Sequence, residues 1–549
     1  MKKILILTFL FGSAFSVCAQ LVLSSNSNIV VASGSHLVVN SVNNSSGTID
    51  NDGTVSITGN VDNDGTGLFD SGSGGTVKFS GSSAQEITGD HDIGFYGTVE
   101  IDNSAGISIK TSTGHNQTIN GTLAFTNGLF TLNEFDLTLG STDPTGVGAA
   151  KYIATNDAGQ LKRTVGSSGV IFPVGNATYN PVTLTNAGTS DTYGVVAKDG
   201  MPSSFTSNNH AVNRYWDISE ASSGSSDLTV QGQWSTNTTP SNEQSSFARA
   251  YSCMGYTEDN GATVTWGSVG SATGGSDDWL WSQSGYTQDL STARSFFVAD
   301  DYFKGYNLNL ELWLAGPYNV TNDDMDNNLN TAGGTLLIPT TDPYEGTTTV
   351  ASIHEDIVDW VKIELRASNR TTVRKTYHAF VNTSGAVVDY NNSPFFATEV
   401  DFSLTDYSVA IIHRNHFGVA SNSNDINLRT TVGTDFTQLS NVYDDATVTY
   451  PTAPLDLLES GVYGLWTGDV NSDGKIVYNE SDSDREVILT AVGGSSTMTN
   501  IVTNQYSASD LNLDRNVVYN ESNSDRELIL TNVGGSSTMT RIANTHLPD

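Results

Sequence analysis

Residues 469–499 and 510–540 are two copies of one segment, set 41 residues apart, and no other feature limits the chain so tightly. The first copy runs Asp469-Val-Asn471-Ser-Asp473-Gly474-Lys475 and reaches Glu480 and Asp484. The second runs Asp510-Leu-Asn512-Leu-Asp514-Arg515-Asn516 and reaches Glu521 and Asp525. Oxygen-bearing side chains at loop positions 1, 3 and 5 converge when the backbone coils tightly around one point. Ca²⁺ takes six to eight hard oxygens at about 2.3–2.6 Å, including a backbone carbonyl at position 7 and a downstream acid. The expected ligands are therefore Asp469, Asn471, Asp473 and the Lys475 carbonyl, then Asp510, Asn512, Asp514 and the Asn516 carbonyl.

Two acids compete to close each site. Glu480 stands at position 12 and Asp484 at position 16; Glu521 and Asp525 are their counterparts. Asp484 and Asp525 are favoured, because a helix predicted over 484–492 would fix the direction of an acid at its start. Gly474 suits a left-handed residue at position 6. The second copy has Arg515 there, at a cost of about 1 kcal/mol and with a charge opposed to the ion, so the second loop is expected to bind more weakly.

The first nineteen residues read as a secretory leader: Lys2 and Lys3, an apolar stretch over 4–11, then the small-residue site Val17-Cys18-Ala19. This places the mature chain outside the cytoplasm, in the medium or on the outer cell surface. No later stretch is apolar for the 18 residues or so that a spanning helix needs. Cys18 leaves with the leader, so Cys253 alone remains and no intrachain disulfide can form. A net charge of −35 repels nucleic-acid phosphates and anionic membranes, which excludes those partners.

Short β-branched and aromatic runs separated by Gly, Asn and Asp recur along the chain, the pattern of a mostly β fold. Residues 20–145 read as a β-solenoid. Asn-Asp-Gly-Thr occurs at 51 and 63, a period of twelve, and each run is too short to bury a face without stacking on the next. Residues 146–303 read as a β-sandwich domain with strands near 170–174, 182–184, 193–196, 228–234, 247–251 and 296–299. Trp216, Trp234, Trp266, Trp279 and Trp281 fall in it, either as core or as a sugar-stacking platform. Residues 304–455 read as a second β-sandwich domain, in which 308–314, 358–365 and 407–412 alternate as half-buried strands. Residues 456–549 form the small calcium-loop module.

The loop–helix pair resembles dockerin type I modules, on Asp469, Asn471, Asp473 and Gly474. It departs at Val477, where dockerins carry a polar ligand, and in the extra residues before Asp484. It is closer to a dockerin-like variant at the ends of secreted, hemagglutinin-like surface proteins of Bacteroidota. Gly75-Thr-Val-Lys-Phe79, Phe172-Pro-Val-Gly175, Ser295-Phe-Phe-Val298 and His413-Arg-Asn-His416 with Val358-Asp-Trp360 resemble other parts of such proteins. The resemblance implies a surface binding or adhesion protein, with an extracellular glycan or cell-surface partner and a protein partner at the dockerin-like module.

Catalytic signatures are missing: there is no Gly-x-Ser-x-Gly, P-loop or His-Glu-x-x-His. His413 and His416 would face opposite sides of a strand, so a shared role needs a turn between them. Asp323, Asp324 and Asp326 read as a solvated turn. The expected function is non-enzymatic binding and adhesion. A polysaccharide-binding accessory role, or a carbohydrate-active enzyme whose carboxylates pair only in space, are the alternatives.

Overall fold

The computed structural model describes residues 4–5, 20–25, 27–203, 205, 209–238, 241–257, 264–331, 334–401, 404–429, 433–538 and 540–548. The expected leader lies outside the described residues apart from Ile4–Leu5. Strand accounts for 42% of the chain and helix for 5%, which makes the fold mostly β. The chain divides into two compact units, 1–303 and 304–549.

The first unit begins as a β-solenoid of about 7 turns. Leu21 pairs with Val42, Val42 with Val61, Val61 with Ile87, and Ile107 with Phe130, all in parallel. One coil is therefore 19 residues long from Val42 to Val61 and 26 from Val61 to Ile87. The twelve-residue repeat is not the coil. Asn51 ends the strand Thr48–Asn51 and Asn63 ends Val61–Asn63, in a different sheet. The repeated tetrapeptides mark successive corners of a coil. There the Asn side chains stack inward: Asn44 Nδ2 donates to Asn63 Oδ1 at 2.8 Å, with both residues fully buried. Another corner is a column of glycines. A Cβ on Gly97 would lie 1.9 Å from the Gly75 carbonyl oxygen, and one on Gly121 would lie 1.9 Å from that of Gly97.

The solenoid runs into the next segment without a break in its core. Leu161–Val165 pairs in parallel with Leu137–Leu139 on one side and antiparallel with Asp191–Asp199 on the other. One hydrophobic core extends from Leu23 to Val298. Arg163 is buried at this change of direction, its Nη1 donating to Asp143 Oδ1 at 2.7 Å and to the Ile171 carbonyl at 2.6 Å. Residues 247–251, expected as a strand, are instead a turn and the 3₁₀ helix Arg249–Tyr251. The tryptophans are mostly core: Trp216, Trp234 and Trp281 are buried. Trp266 packs against Phe205 and Phe297, and the Arg249 guanidinium covers Trp279 at 4.3 Å. Among the described residues, three of the five indoles are core and the other two pack against aromatic or guanidinium groups.

The second unit centres on a five-stranded antiparallel sheet. Its strands are β1 (Ile357–Ala367), β2 (Val373–Asn382), β3 (Val387–Val388), β4 (Tyr407–His413) and β5 (His416–Ala420), in the order β3-β2-β1-β4-β5. Expected as half-buried, β1 is buried on both faces, and even Asp359 is fully enclosed. The reason is its central place, with material packed on each side. Residues 308–314 keep their alternation, since Leu308, Leu310, Leu312 and Leu314 are buried. Only Leu310–Glu311 forms a ladder, however, so this stretch packs on the sheet as irregular chain.

Candidate metal centres in the C-terminal loops

Both loops coil around their first aspartate. Asp469 Oδ1 accepts the Asp473 N–H at 3.0 Å and Oδ2 accepts the Gly474 N–H at 3.1 Å. Asn471 Oδ1 also accepts the Asp473 N–H at 3.1 Å, and Asp473 Oδ1 accepts the Lys475 N–H at 2.9 Å. In the second loop Asp510 takes the Asp514 and Arg515 N–H groups at 3.1 and 3.0 Å, Asn512 Oδ1 takes that of Asp514 at 3.2 Å, and Asp514 takes that of Asn516 at 2.9 Å. Each loop leads into a short strand, Lys475–Val477 or Asn516–Val518, which fixes its exit.

The second acid of each loop comes from a helix start. Asp484 opens the helix Asp484–Ala491, and Asp525 opens Asp525–Asn532. Ile488 and Ile529 anchor these helices in one shared core with Val470, Ile476, Leu511 and Val517. Asp484 Oδ1 accepts the Val470 N–H and Oδ2 the Val477 N–H, both at 2.8 Å. Asp525 does the same with Leu511 at 2.6 Å and Val518 at 2.7 Å. Each acid thus ties the two ends of its loop together. Glu480 and Glu521, the other candidates, are exposed on the turns before the helices.

Asp469 is 6% exposed, while Asp484, Asp510 and Asp525 are fully buried. Burial, then the charge of Asp484, pushes the Asp469 carboxyl up to about 7. Burial likewise raises Asp484 to about 7, against the pull of the backbone donors Val477, Val470 and Asn471. Asp510 is raised to about 7 by burial, although Arg414 opposes the shift, and Asp525 to about 8. Buried carboxylates are costly without a compensating positive charge. A hard divalent cation would supply it, and a carboxylate with two or three backbone donors keeps lone pairs for an ion. With no thiol or imidazole in either loop sequence, the donor set fits Ca²⁺.

Two expectations change in detail. Arg515 does adopt positive φ, at 79°. Its guanidinium does not face the loop. Nη1 donates to the carbonyls of Asn328 at 2.9 Å and Asn330 at 3.2 Å, and Nη2 to that of Thr335 at 2.7 Å. The charge expected to oppose an ion is engaged elsewhere. His413 and His416 flank a tight hairpin turn, so the rings meet with Nδ1 atoms 3.0 Å apart instead of facing opposite sides. Asp359 Oδ2 lies 3.2 Å from His413 Nε2, and the Gly316 N–H donates to His416 Nε2 at 3.1 Å. Burial lowers both imidazoles, which marks them as neutral members of a satisfied network.

The tip of this hairpin reaches both loops, a contact that no periodicity in the sequence signals. Gly468 N–H, just before Asp469, donates to the Asn415 carbonyl at 3.0 Å. Asn415 Nδ2 donates to the carbonyls of Ala508 at 3.0 Å and Asp510 at 2.8 Å. Ser472 Oγ donates to the Arg414 carbonyl at 3.1 Å. Asp323, Asp324 and Asp326 stay on a separate hairpin turn, where Asn319 Nδ2 donates to Asp326 at 3.1 Å. Comparisons with family models, with curated proteins and with solved structures find no match for this chain.

Proposed function

We propose that the protein is a secreted or cell-surface binding and adhesion protein whose C-terminal module holds two calcium ions, one in each loop. The observation that carries this reading is the repeated pair of buried carboxylates, Asp469 with Asp484 and Asp510 with Asp525, each pair wrapped by its own loop. Asp473 and Asp514, the Asn471 and Asn512 amides and the carbonyls of Lys475 and Asn516 complete the donor sets. Bound calcium would neutralise these acids and hold each loop against its helix. No helix among the described residues is long and apolar enough to cross a membrane.

A polysaccharide-binding role is the second reading, and one feature favours it. Thr54, Thr76, Thr98 and Thr122 pair in register along one solenoid sheet and are partly exposed. A row of hydroxyls repeating once per coil, at the inter-strand spacing of about 4.8 Å, suits a ligand that is itself repetitive. Titration calorimetry of the chelator-treated chain tests the calcium reading: two Ca²⁺ per chain and a higher melting temperature are expected. No heat and no melting shift would remove it. A glycan array run with and without EDTA separates adhesion through the calcium module from binding along the solenoid.

A further inference from the structure

The two C-terminal repeats do not fold as two separate loop–helix units. Lys475–Val477 leaves the first loop and Asn516–Val518 leaves the second, yet these strands do not pair with each other. Lys475–Val477 pairs with Ile542–Asn544, which follows the second helix, and Ile476 stands opposite Ala543. Asn516–Val518 pairs with Ile501–Thr503, which follows the first helix, and Val517 stands opposite Val502. A shift by the 41-residue repeat turns each pairing into the other. Each loop is therefore closed by the tail of the opposite copy.

The tails leave their helices through matching turns. The Gly494 N–H donates to the Leu489 carbonyl and the Gly535 N–H to that of Leu530, both at 2.8 Å. Such a closing turn takes the chain off the helix axis. More bonds then cross between the copies. The Thr545 N–H donates to the Gly474 carbonyl at 2.9 Å, as the Asn504 N–H does to that of Arg515 at 2.8 Å. Asn479 Nδ2, on the first copy, donates to the Ser537 carbonyl on the second at 2.7 Å. Thr545 Oγ1 also donates to the Gly418 carbonyl at 3.1 Å, which ties the second tail to the sheet.

The phase of these ladders bears on the donor sets. In an antiparallel pair, successive residues alternate between bonding the partner strand and turning both N–H and C=O away from it. The Asn544 N–H goes to the Tyr450 carbonyl at 2.9 Å, away from the ladder. Its partner Lys475 turns away as well: the N–H goes to Asp473 Oδ1 at 2.9 Å, and the carbonyl faces the same side. Val477, in the same phase, gives its N–H to Asp484 Oδ2 at 2.8 Å. Ile476 is left to bond the tail. Asn516 and Val518 repeat the arrangement with Asp514 and Asp525. The tail strand thus sets which side of the exit strand meets the loop. Resting on the calcium reading of the loops, we propose that each ion site is composite: residues 542–545 position the donors of the first loop, and residues 501–504 those of the second.

The test uses the full chain. Ala543→Pro removes a ladder N–H from the second tail, and Val502→Pro removes one from the first. A Ca²⁺ titration followed by NMR at the Gly474 and Arg515 amides reads the loops separately. Ala543→Pro should weaken the first loop by about tenfold or more and leave the second within about threefold. Val502→Pro should do the reverse. Weakening of each variant's own copy, of both loops alike, or of neither would overturn the proposal. Ala543 is fully buried, so a second measurement guards against a variant that does not fold. In chelator, Asp484→Asn should speed amide hydrogen exchange at Ala543 and Thr545 by about tenfold and spare Val502 and Asn504; Asp525→Asn should do the opposite. Faster exchange within the mutated copy's own tail would overturn the proposal. Crossed exchange in a chain that takes up no Ca²⁺ would overturn the ion sites and leave the strand exchange standing.

Discussion

Gly474 and Arg515 occupy the same left-handed backbone position in the two loops, with φ of 75° and 79°. A non-glycine residue there costs about 1–2 kcal/mol, so Arg515 must offset it. It does so through the carbonyls of Asn328, Asn330 and Thr335 and through Asn504 Oδ1, which lies 3.1 Å from its Nε. Hydrogen bonds from a charged donor contribute roughly 1.5–3 kcal/mol each, more in total than the strain. Arg515→Gly should therefore destabilise the second unit by about 2–4 kcal/mol in chemical denaturation, although it restores the loop's preferred residue. Calcium affinity of the second loop should change less than about threefold by calorimetry, since the guanidinium faces away from it.

The closing acid can be identified by paired substitutions. Asp484→Asn and Asp525→Asn each remove a buried carboxylate that also receives two backbone N–H groups. If each loop holds an ion as proposed, each substitution should eliminate one of the two and lower stability by about 2–3 kcal/mol. Glu480→Gln and Glu521→Gln alter exposed side chains and should leave both ions bound. Loss of an ion in Glu480→Gln with retention in Asp484→Asn would transfer the closing role to position 12.

The four buried aspartates also set a pH signature. Burial pushes their folded carboxyls up from the usual 3.8 to about 7, and that of Asp525 to about 8. A raised folded value means that the folded state holds protons the unfolded chain has already lost. Without calcium, stability should be full below about pH 4 from these groups, fall as pH rises to about 8, and level off above. Calcium competes with those protons, so its affinity should rise over the same interval. Melting curves at pH 5 and pH 8, with chelator or with Ca²⁺, check both signs: the chelated chain melts higher at pH 5, and the calcium-induced gain is larger at pH 8.

Asn415 links the sheet to both loops, and its removal should separate them. The amide contacts the carbonyls of Ala508 and Asp510, and its own carbonyl takes the Gly468 N–H. Phe417, two residues on, is buried in the core of the C-terminal module. Asn415→Ala deletes the amide bonds and keeps the backbone one. It should weaken the second calcium site by about tenfold, equivalent to roughly 1.4 kcal/mol, and leave the first within about threefold. Site-resolved calcium titration by NMR reads the two loops separately; equal weakening at both would place the coupling elsewhere.

The parts legible in the sequence were those in which local chemistry repeats. Short runs between Gly and Asn turns fixed the β class and the solenoid, because a coil has to place an apolar residue inward on each side. The coil length was not legible: the Asn-Asp-Gly-Thr copies at 51 and 63 lie on adjacent corners, and only the strand register shows the step from Val42 to Val61. Alternation over 358–365 predicted one buried face, but β1 is central and covered on both, and periodicity carries no information about the second cover. The two turns were legible because Asp, Asn and Asp recur on alternate positions in both copies, and each turn closes on its first aspartate. The hairpin tip that reaches them was not, since Asn415 and Asp510 are 95 residues apart and meet only through tertiary packing.

The glycine corners of the solenoid give the sharpest test of its stacking. Gly97 lies between Gly75 and Gly121, and a Cβ placed on it would stand 1.9 Å from a backbone oxygen of the coil below. A backbone atom cannot turn aside as a side chain can. Gly97→Ala must therefore push two coils apart along a core shared by Val77, Val99 and Leu123. The cost should be about 3 kcal/mol or more, at or above the upper end usual for overpacking because the neighbour is backbone. Gly148→Ala is the control, because nothing lies within 4 Å of the added methyl there. It should change stability by less than about 0.5 kcal/mol. Chemical denaturation followed by circular dichroism compares the two, and equal stability of both variants would mean that the coils are not stacked in this register.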